Sequence, residues 1–123
     1  MRYLLLIYGD ESQAPHDQTP EQAAAAMQPW FGYTQWLRDK GWFLGGEALE
    51  PTASATTVRA GEDGTVMPTD GPFAETKEQL GGYYLIECAN LDEAIDAASR
   101  IPSVALGGSI EVRPIMELSE APS

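Results

Sequence analysis

Two residue types that build many small catalytic and metal sites are almost missing from this 123-residue chain: it has one cysteine, Cys88, and one histidine, His16. A disulfide within the chain is excluded, as is a zinc site built from paired cysteines or any centre needing two imidazoles. Positive charge is also scarce. Seven Lys and Arg stand against nineteen Asp and Glu, a formal net charge of -12. That balance repels nucleic-acid phosphates and anionic membrane surfaces, so neither is expected as a direct partner, while cationic and neutral ligands stay open. Long hydrophobic runs are absent too. The apolar block Tyr3–Tyr8 is far shorter than a membrane span and too short for a signal-peptide core, so the expected address is the cytoplasm. No resident cofactor or metal is expected.

What is present suffices for one domain. A chain of this length can bury a core without staples, and three Trp, five Tyr and three Phe supply bulk for it. The domain is expected over residues 1–118, with 119–123 a frayed tail.

The chain opens with a strand, Arg2 to Tyr8, apolar on both alternating faces and therefore central in its sheet. A polar loop to Gln18 holds His16, read as an exposed loop residue. Thr19, Pro20 and Gln22 spell a helix start, with Thr as cap, Pro at the first helical position and Gln closing the box. Met27, Trp30, Thr34 and Leu37 then share one face, with Phe31 beside them, which predicts a core stripe. Pro29 is expected to kink or restart this helix, and Gly41 to end it.

Trp42 to Leu49 reads as a second strand whose internal pair Gly45-Gly46 marks a bulge or the close approach of another group. Thr56–Ala60 and Thr65–Met67, alternating around Glu62-Asp63-Gly64, predict an inserted hairpin. Gly81-Gly82 lead into Tyr83–Cys88, a second strand apolar on both sides. Asn90 and Glu93 form another capping box, opening a helix with Leu91, Ala94, Ile95, Ala98 and Ile101 on one face. Pro102 stops that helix. Pro114, inside the last strand Ser109–Met116, places that strand on a sheet edge.

This order predicts an α+β fold: a ferredoxin-like split βαβ arrangement with an inserted hairpin, an antiparallel sheet and two helices on one face. Two helices cover one face only, yet the central strands are apolar on both. A second copy of the sheet is the simplest cover, which predicts a homodimer.

Candidate chemistry centres on Asp70–Glu78. Asp70-Gly71-Pro72 predicts a turn with the Asp carboxylate on nearby amides. If Phe73–Leu80 coils, Glu75 and Glu78 share a face and Lys77 points elsewhere. One reading makes this a structural loop with Phe73 plugging the core. The other makes it the rim of a cavity, with Asp70 and Glu75 facing a ligand. On the last strand, Glu111 and Arg113 share the face opposite Ile110 and Val112. Arg113 there either pairs with Glu111 or Glu87 or binds an anionic ligand group. Tyr8, ending a central strand, offers a hydroxyl. The ligand-binding candidates are thus Tyr8, Asp70, Glu75, Glu111 and Arg113, with no catalytic residue assigned.

Four segments carry a resemblance: Arg2–Glu11, Gly45-Gly-Glu-Ala-Leu49, Thr69-Asp-Gly-Pro-Phe-Ala-Glu-Thr-Lys-Glu78 and Ile110-Glu-Val-Arg-Pro114. The chain resembles the DGPF-domain branch of the YCII-related family over nearly its whole length. The resemblance implies a bacterial dimeric α/β-barrel built on a ferredoxin-like sheet, and a genomic link to extracytoplasmic-function sigma factors. It also implies, for the wider family, a His–Asp pair on the two helices. Those positions fall at about Trp30 and near Ile101 here, and neither residue can transfer a proton in that way. Two functions follow: a protein that binds or acts on a small molecule between the sheets, or a non-enzymatic regulatory protein tied to a sigma-factor pathway.

Overall fold

In the computed structural model, which describes residues 1–15 and 17–118, the first strand sets the frame. β1 (Arg2–Gly9) is followed by α1 (Pro20–Asp39), β2 (Phe43–Ala48), the hairpin β3 (Thr56–Ala60) and β4 (Val66–Asp70), β5 (Gln79–Glu87), α2 (Leu91–Ser99) and β6 (Ser109–Pro114). Four strands form one antiparallel sheet in the order β2-β5-β1-β6, and β3-β4 form a separate two-stranded ribbon. The two doubly apolar strands are central and the Pro114 strand is an edge. This is the ferredoxin-like α+β fold; the described residues of one chain do not close a barrel.

Register assigns every side chain to a face. Tyr3, Leu5 and Ile7 stand opposite Ile86, Tyr84 and Gly82 on β5, and opposite Pro114, Val112 and Ile110 on β6. That face packs on Tyr33 and Leu37 of α1 and on Ala94, Ala97 and Ala98 of α2. Leu5, Leu37, Ile86 and Ile101 are fully enclosed. Burial of each contributes roughly 1.5–3 kcal/mol. The opposite face carries Leu4, Leu6, Tyr83 and Leu85, half-buried and with no second layer in the chain.

The helix ends follow the local chemistry. Thr19 Oγ1 accepts the Gln22 N–H at 3.1 Å, and Gln22 Oε1 accepts the Thr19 N–H at 2.9 Å. At the far end Gly41 takes φ +76°; its N–H reaches the Arg38 carbonyl, and the Trp42 N–H reaches that of Leu37. This is a Schellman closure, which needs a residue tolerant of the left-handed region. Of the two outcomes expected at Pro29, a kink or a restart, the restart does not occur: α1 runs unbroken through it. Pro29 lies on the exposed side, where water can take up the carbonyl it leaves unpaired. The α2 box is half reciprocal: Asn90 Oδ1 caps the Glu93 N–H, while Glu93 Oε1 accepts from Ala89.

Other expectations shift. The buried stripe of α2 is Ala94, Ala97 and Ala98, with Ile101 buried just past its end, whereas Leu91 and Ile95 are half-exposed, because the helix turns its small residues to the sheet. Asp70 is not a turn cap: it ends β4 opposite Thr56, and Gly71, at φ +98°, makes the turn while its N–H bonds the Ala55 carbonyl. Residues 71–78 form an irregular connection with no helix, so Glu75 and Glu78 share no helical face. Phe73 plugs nothing and is 77 % exposed. His16 and the tail from 119 lie outside the described residues.

Candidate functional site

The space between α1 and the sheet is not filled along its whole length. Toward the ends of β1 and β5, the helix-facing positions are Gly82, opposite Ile7, and Ala48, opposite Gly82; Gly46 stands opposite Tyr84. Two of these cannot carry a side chain. A Cβ on Gly82 would lie 2.8 Å from the Glu47 carbonyl oxygen, and one on Gly46 would lie 2.9 Å from both the Tyr83 oxygen and the Tyr84 ring. The strands approach closely there, and the layer beneath α1 is left open.

The result is a cavity of about 770 Å³, within the range of small-molecule sites. Trp30 and Phe31 of α1, Phe43 of β2 and Tyr84 of β5 give it aromatic walls, with Ile7 and Met27 completing the apolar part. Phe31 is 61 % exposed and Met27 42 %, so the α1 stripe expected to be core divides. Tyr33 and Leu37 enter the core, while Met27, Phe31, Thr34 and Arg38 line the cavity.

Many residues of the wall carry polar groups, and several of these are engaged. The Thr34 and Tyr84 hydroxyls share a hydrogen bond of 2.9 Å. Asp10 Oδ1 accepts from the Ser12 hydroxyl at 2.6 Å and the Ser12 N–H at 2.9 Å. Those bonds hold the Asp10 carboxyl below its ordinary range. Glu11 is bound by Thr52. The Arg38 guanidinium lies 4.9 Å above the Phe43 ring, a cation–π contact at the edge of the cavity.

The five residues proposed from sequence do not converge. Tyr8 contributes to the cavity wall. Asp70 ends β4 and Glu75 sits in the connection after it, both exposed. Glu111 and Arg113 lie exposed on the open sheet face, opposite Leu6 and Leu4, because Ile110 and Val112 do pack beneath the helices. Among the described residues Arg113 forms no ion pair with Glu111 or Glu87; the pairs found are Arg2–Glu117 and Arg100–Asp96. Sequence reasoning missed Phe43, Tyr84 and Ser103 as wall residues and took Trp30 and Thr34 for core. The signal that pointed here was the pair Gly45-Gly46, read as a bulge or a close approach: the register shifts between Phe43 and Gly45, and Gly46 lies close against Tyr83 and Tyr84. No group of three His, Cys, Asp or Glu side chains among the described residues is placed to hold a metal ion.

Fold and cavity together define a class: a small ferredoxin-like α+β protein with an aromatic-walled chamber between its first helix and its sheet. The YCII-related domain matches residues 1–119, and the chain belongs to that family. It is similar to an uncharacterized protein of Rhizobium meliloti (strain 1021), 40% identical over 116 residues, covering 94% of this chain and 92% of the relative.

Proposed function

We propose that this chain binds a small organic molecule in the chamber between α1 and the sheet. The observation that carries the reading is the chamber itself: about 770 Å³, walled by Trp30, Phe31, Phe43 and Tyr84. The ligand site expected between two sheets therefore moves to the helix side of one. Binding is favoured over acid–base catalysis. Trp30 stands in the wall and Ile101 in the core, at the positions where the wider family's His and Asp are expected, and neither exchanges protons.

The experiment is a ¹H–¹⁵N NMR screen with neutral one- and two-ring compounds. Shift changes are expected at Thr34, Gly46 and Tyr84, and they weaken in Phe31→Ala, whose exposed ring contributes little to folding. Hits that perturb only the open sheet face would sink the reading.

We further propose that two copies close the open face as a homodimer, and so form the α/β-barrel that the resemblance to the DGPF branch implies. The half-buried Leu4, Leu6, Tyr83 and Leu85 support this, with Arg113, Glu111 and Glu47 around them as polar rim. A second reading, a regulatory protein bound to an extracytoplasmic-function sigma-factor pathway, draws on the β3-β4 ribbon, whose Val58, Val66 and Met67 are each exposed by about 60 %. Binding to such a sigma factor that is lost in Val58→Ser/Met67→Ser would favour it over the ligand reading.

A further inference from the structure

Charge in the chamber wall is sorted by end. The charged residues that line the chamber are Asp10, Glu11, Glu47 and Arg38. Arg38 lies in the last turn of α1, with its guanidinium 4.9 Å above the Phe43 ring. Phe43 is level with Ile86 on β5 and, through it, with Tyr3 on β1. The carboxylates stand further up the sheet. Glu47 is level with Tyr83, three residues along β5 from Ile86 and so roughly 10 Å above Phe43. Gly9, which Asp10 and Glu11 follow, is six residues along β1 from Tyr3, roughly 20 Å.

The carboxylates are also occupied or turned away. Asp10 Oδ1 accepts from the Ser12 N–H and hydroxyl, and both Glu11 oxygens accept from Thr52. Glu47 alternates with Gly46 and Ala48, the positions that face the helix, so its side chain leaves the strand from the other face. Arg38 is the opposite case. Arg2 donates to Glu117, Arg59 to the Phe73 carbonyl and Arg100 to Asp96, but the Arg38 guanidinium has no oxygen acceptor among the described residues. Asp39, next in the chain, accepts from Gln35 instead at 2.9 Å. Lys40, its ammonium 5.5 Å from the Trp42 ring centre, adds a second positive charge at this end. Nineteen acids stand against seven bases in this chain, yet the base that lines the chamber is paired with none of them among the described residues.

We propose that Arg38 anchors an anionic group of the chamber's ligand, and that this ligand is a flat apolar acid whose carboxylate lies at the Phe43 end and whose rings reach toward Gly46 and Gly82. The proposal rests on the small-molecule reading above. A guanidinium fork matches a carboxylate in charge and in shape. The flat body follows from the Trp30, Phe31, Phe43 and Tyr84 rings. Asp10, Glu11 and Glu47 set the direction. They lie beyond a Debye length of about 8 Å from the Phe43 end, so they repel an acid there only weakly. At their own end they disfavour a second acidic group. Arg38 also complements the negative end of the α1 dipole, but that role alone predicts no preference among ligands.

The test titrates wild type, Arg38→Gln and Arg38→Lys at neutral pH with 2-naphthoate, 2-naphthamide and 2-naphthylmethylamine, an anion, a neutral amide and a cation of one ring system. Backbone shifts of Gly46 and Tyr84 report entry into the chamber, and the Arg38 Nε–H signal reports the anchor. Naphthoate should bind wild type about three- to tenfold more tightly than the amide, a range discounted because Arg38 is exposed. Added salt should shrink that preference. The Arg38 Nε–H should move with naphthoate and not with naphthamide. Arg38→Gln should bring naphthoate down to the affinity of the amide, and Arg38→Lys should keep part of the preference, because the charge remains and the fork does not. A preference that survives in Arg38→Gln, or that falls instead in Arg113→Gln, overturns the proposal, since the acid is then held elsewhere. Tighter binding of the amine overturns it too, because the carboxylates would then govern selection. If Arg38→Gln fails to fold, an Nε–H signal unmoved by saturating naphthoate in wild type still overturns it. Equal binding of acid and amide by wild type overturns the anchor and keeps the chamber. No shift at Gly46 or Tyr84 with any of the three compounds removes the chamber reading as well.

Discussion

Glu11 grips Thr52 with both carboxylate oxygens: Oε1 accepts the Thr52 N–H at 2.9 Å and Oε2 its hydroxyl at 2.7 Å. The Glu11 N–H in turn donates to Gln79 Oε1 at 2.9 Å. One residue just past β1 thus fastens the base of the β3-β4 ribbon and the start of β5. Hydrogen bonds to a charged acceptor are the stronger kind, discounted here because Glu11 is only half-buried. Glu11→Ala should cost about 1–2 kcal/mol and speed amide exchange from Thr52 to Glu78. Thr52→Val, which removes one of the two bonds, should lose less. Unchanged exchange in that segment would show that the ribbon is held by something else.

Gly82 and Gly45 are both strand glycines, and their substitutions should separate sharply. A Cβ at Gly82 meets the Glu47 carbonyl oxygen at 2.8 Å and the Ala48 Cα at 3.3 Å, and backbone cannot give way as a side chain can. At Gly45 nothing lies within 4 Å. Gly82→Ala should therefore destabilise by about 1–3 kcal/mol, as overpacking does. Gly45→Ala should stay within about 0.5 kcal/mol. Urea melts of the two variants decide it, and equal costs would contradict the geometry.

The open sheet face gives a third expectation. Leu6 stands between Tyr83 on β5 and Glu111 on β6, at the middle of the half-buried apolar patch. Light scattering should find the wild type at twice the chain mass and Leu6→Glu at the single mass, since a buried unpaired carboxylate on a two-fold seam meets its own copy. A wild type that stays monomeric at high micromolar concentration ends the homodimer proposal.

Much of the fold was legible because its signals are local or periodic. The double-sided apolar runs Tyr3–Tyr8 and Tyr83–Cys88 named the central strands, Pro114 named an edge, and Thr19, Asn90 and Gly41 marked helix ends that the structure places within a residue. The site was less legible for a physical reason. A 3.6-residue apolar period shows which side of α1 faces the sheet but not whether the sheet fills the space it faces. Trp30 and Thr34 on α1 look alike whether they meet Leu5 or the bare backbone of Gly46 and Gly82. The Asp70–Glu78 stretch misled in the opposite direction: its unusual composition drew attention, yet Asp70 and Glu75 stand exposed at the ribbon's foot, apart from the chamber.

Tyr33 supplies the last expectation, in alkaline solution. Its hydroxyl donates to the Ala97 carbonyl at 2.7 Å, joining α1 to α2 inside the core. Burial, with smaller repulsion from Tyr84 and Asp96, raises its pKa far above the ordinary 10.0. The sign follows from the protonated form being the one the fold favours. The unfolded chain ionises this phenol near pH 10 and the folded chain does not, so its contribution is complete below that pH and is lost as pH rises toward the folded value. Ultraviolet titration should therefore show a tyrosine signal that resists ionisation until the protein unfolds. Tyr33→Phe should abolish the resistant fraction while costing about 1 kcal/mol at neutral pH. The cost stays modest because the Ala97 carbonyl keeps the Arg100 N–H at 3.3 Å. The same titration curve in wild type and Tyr33→Phe, apart from the loss of one phenol ionising near pH 10, would mean that water reaches this hydroxyl.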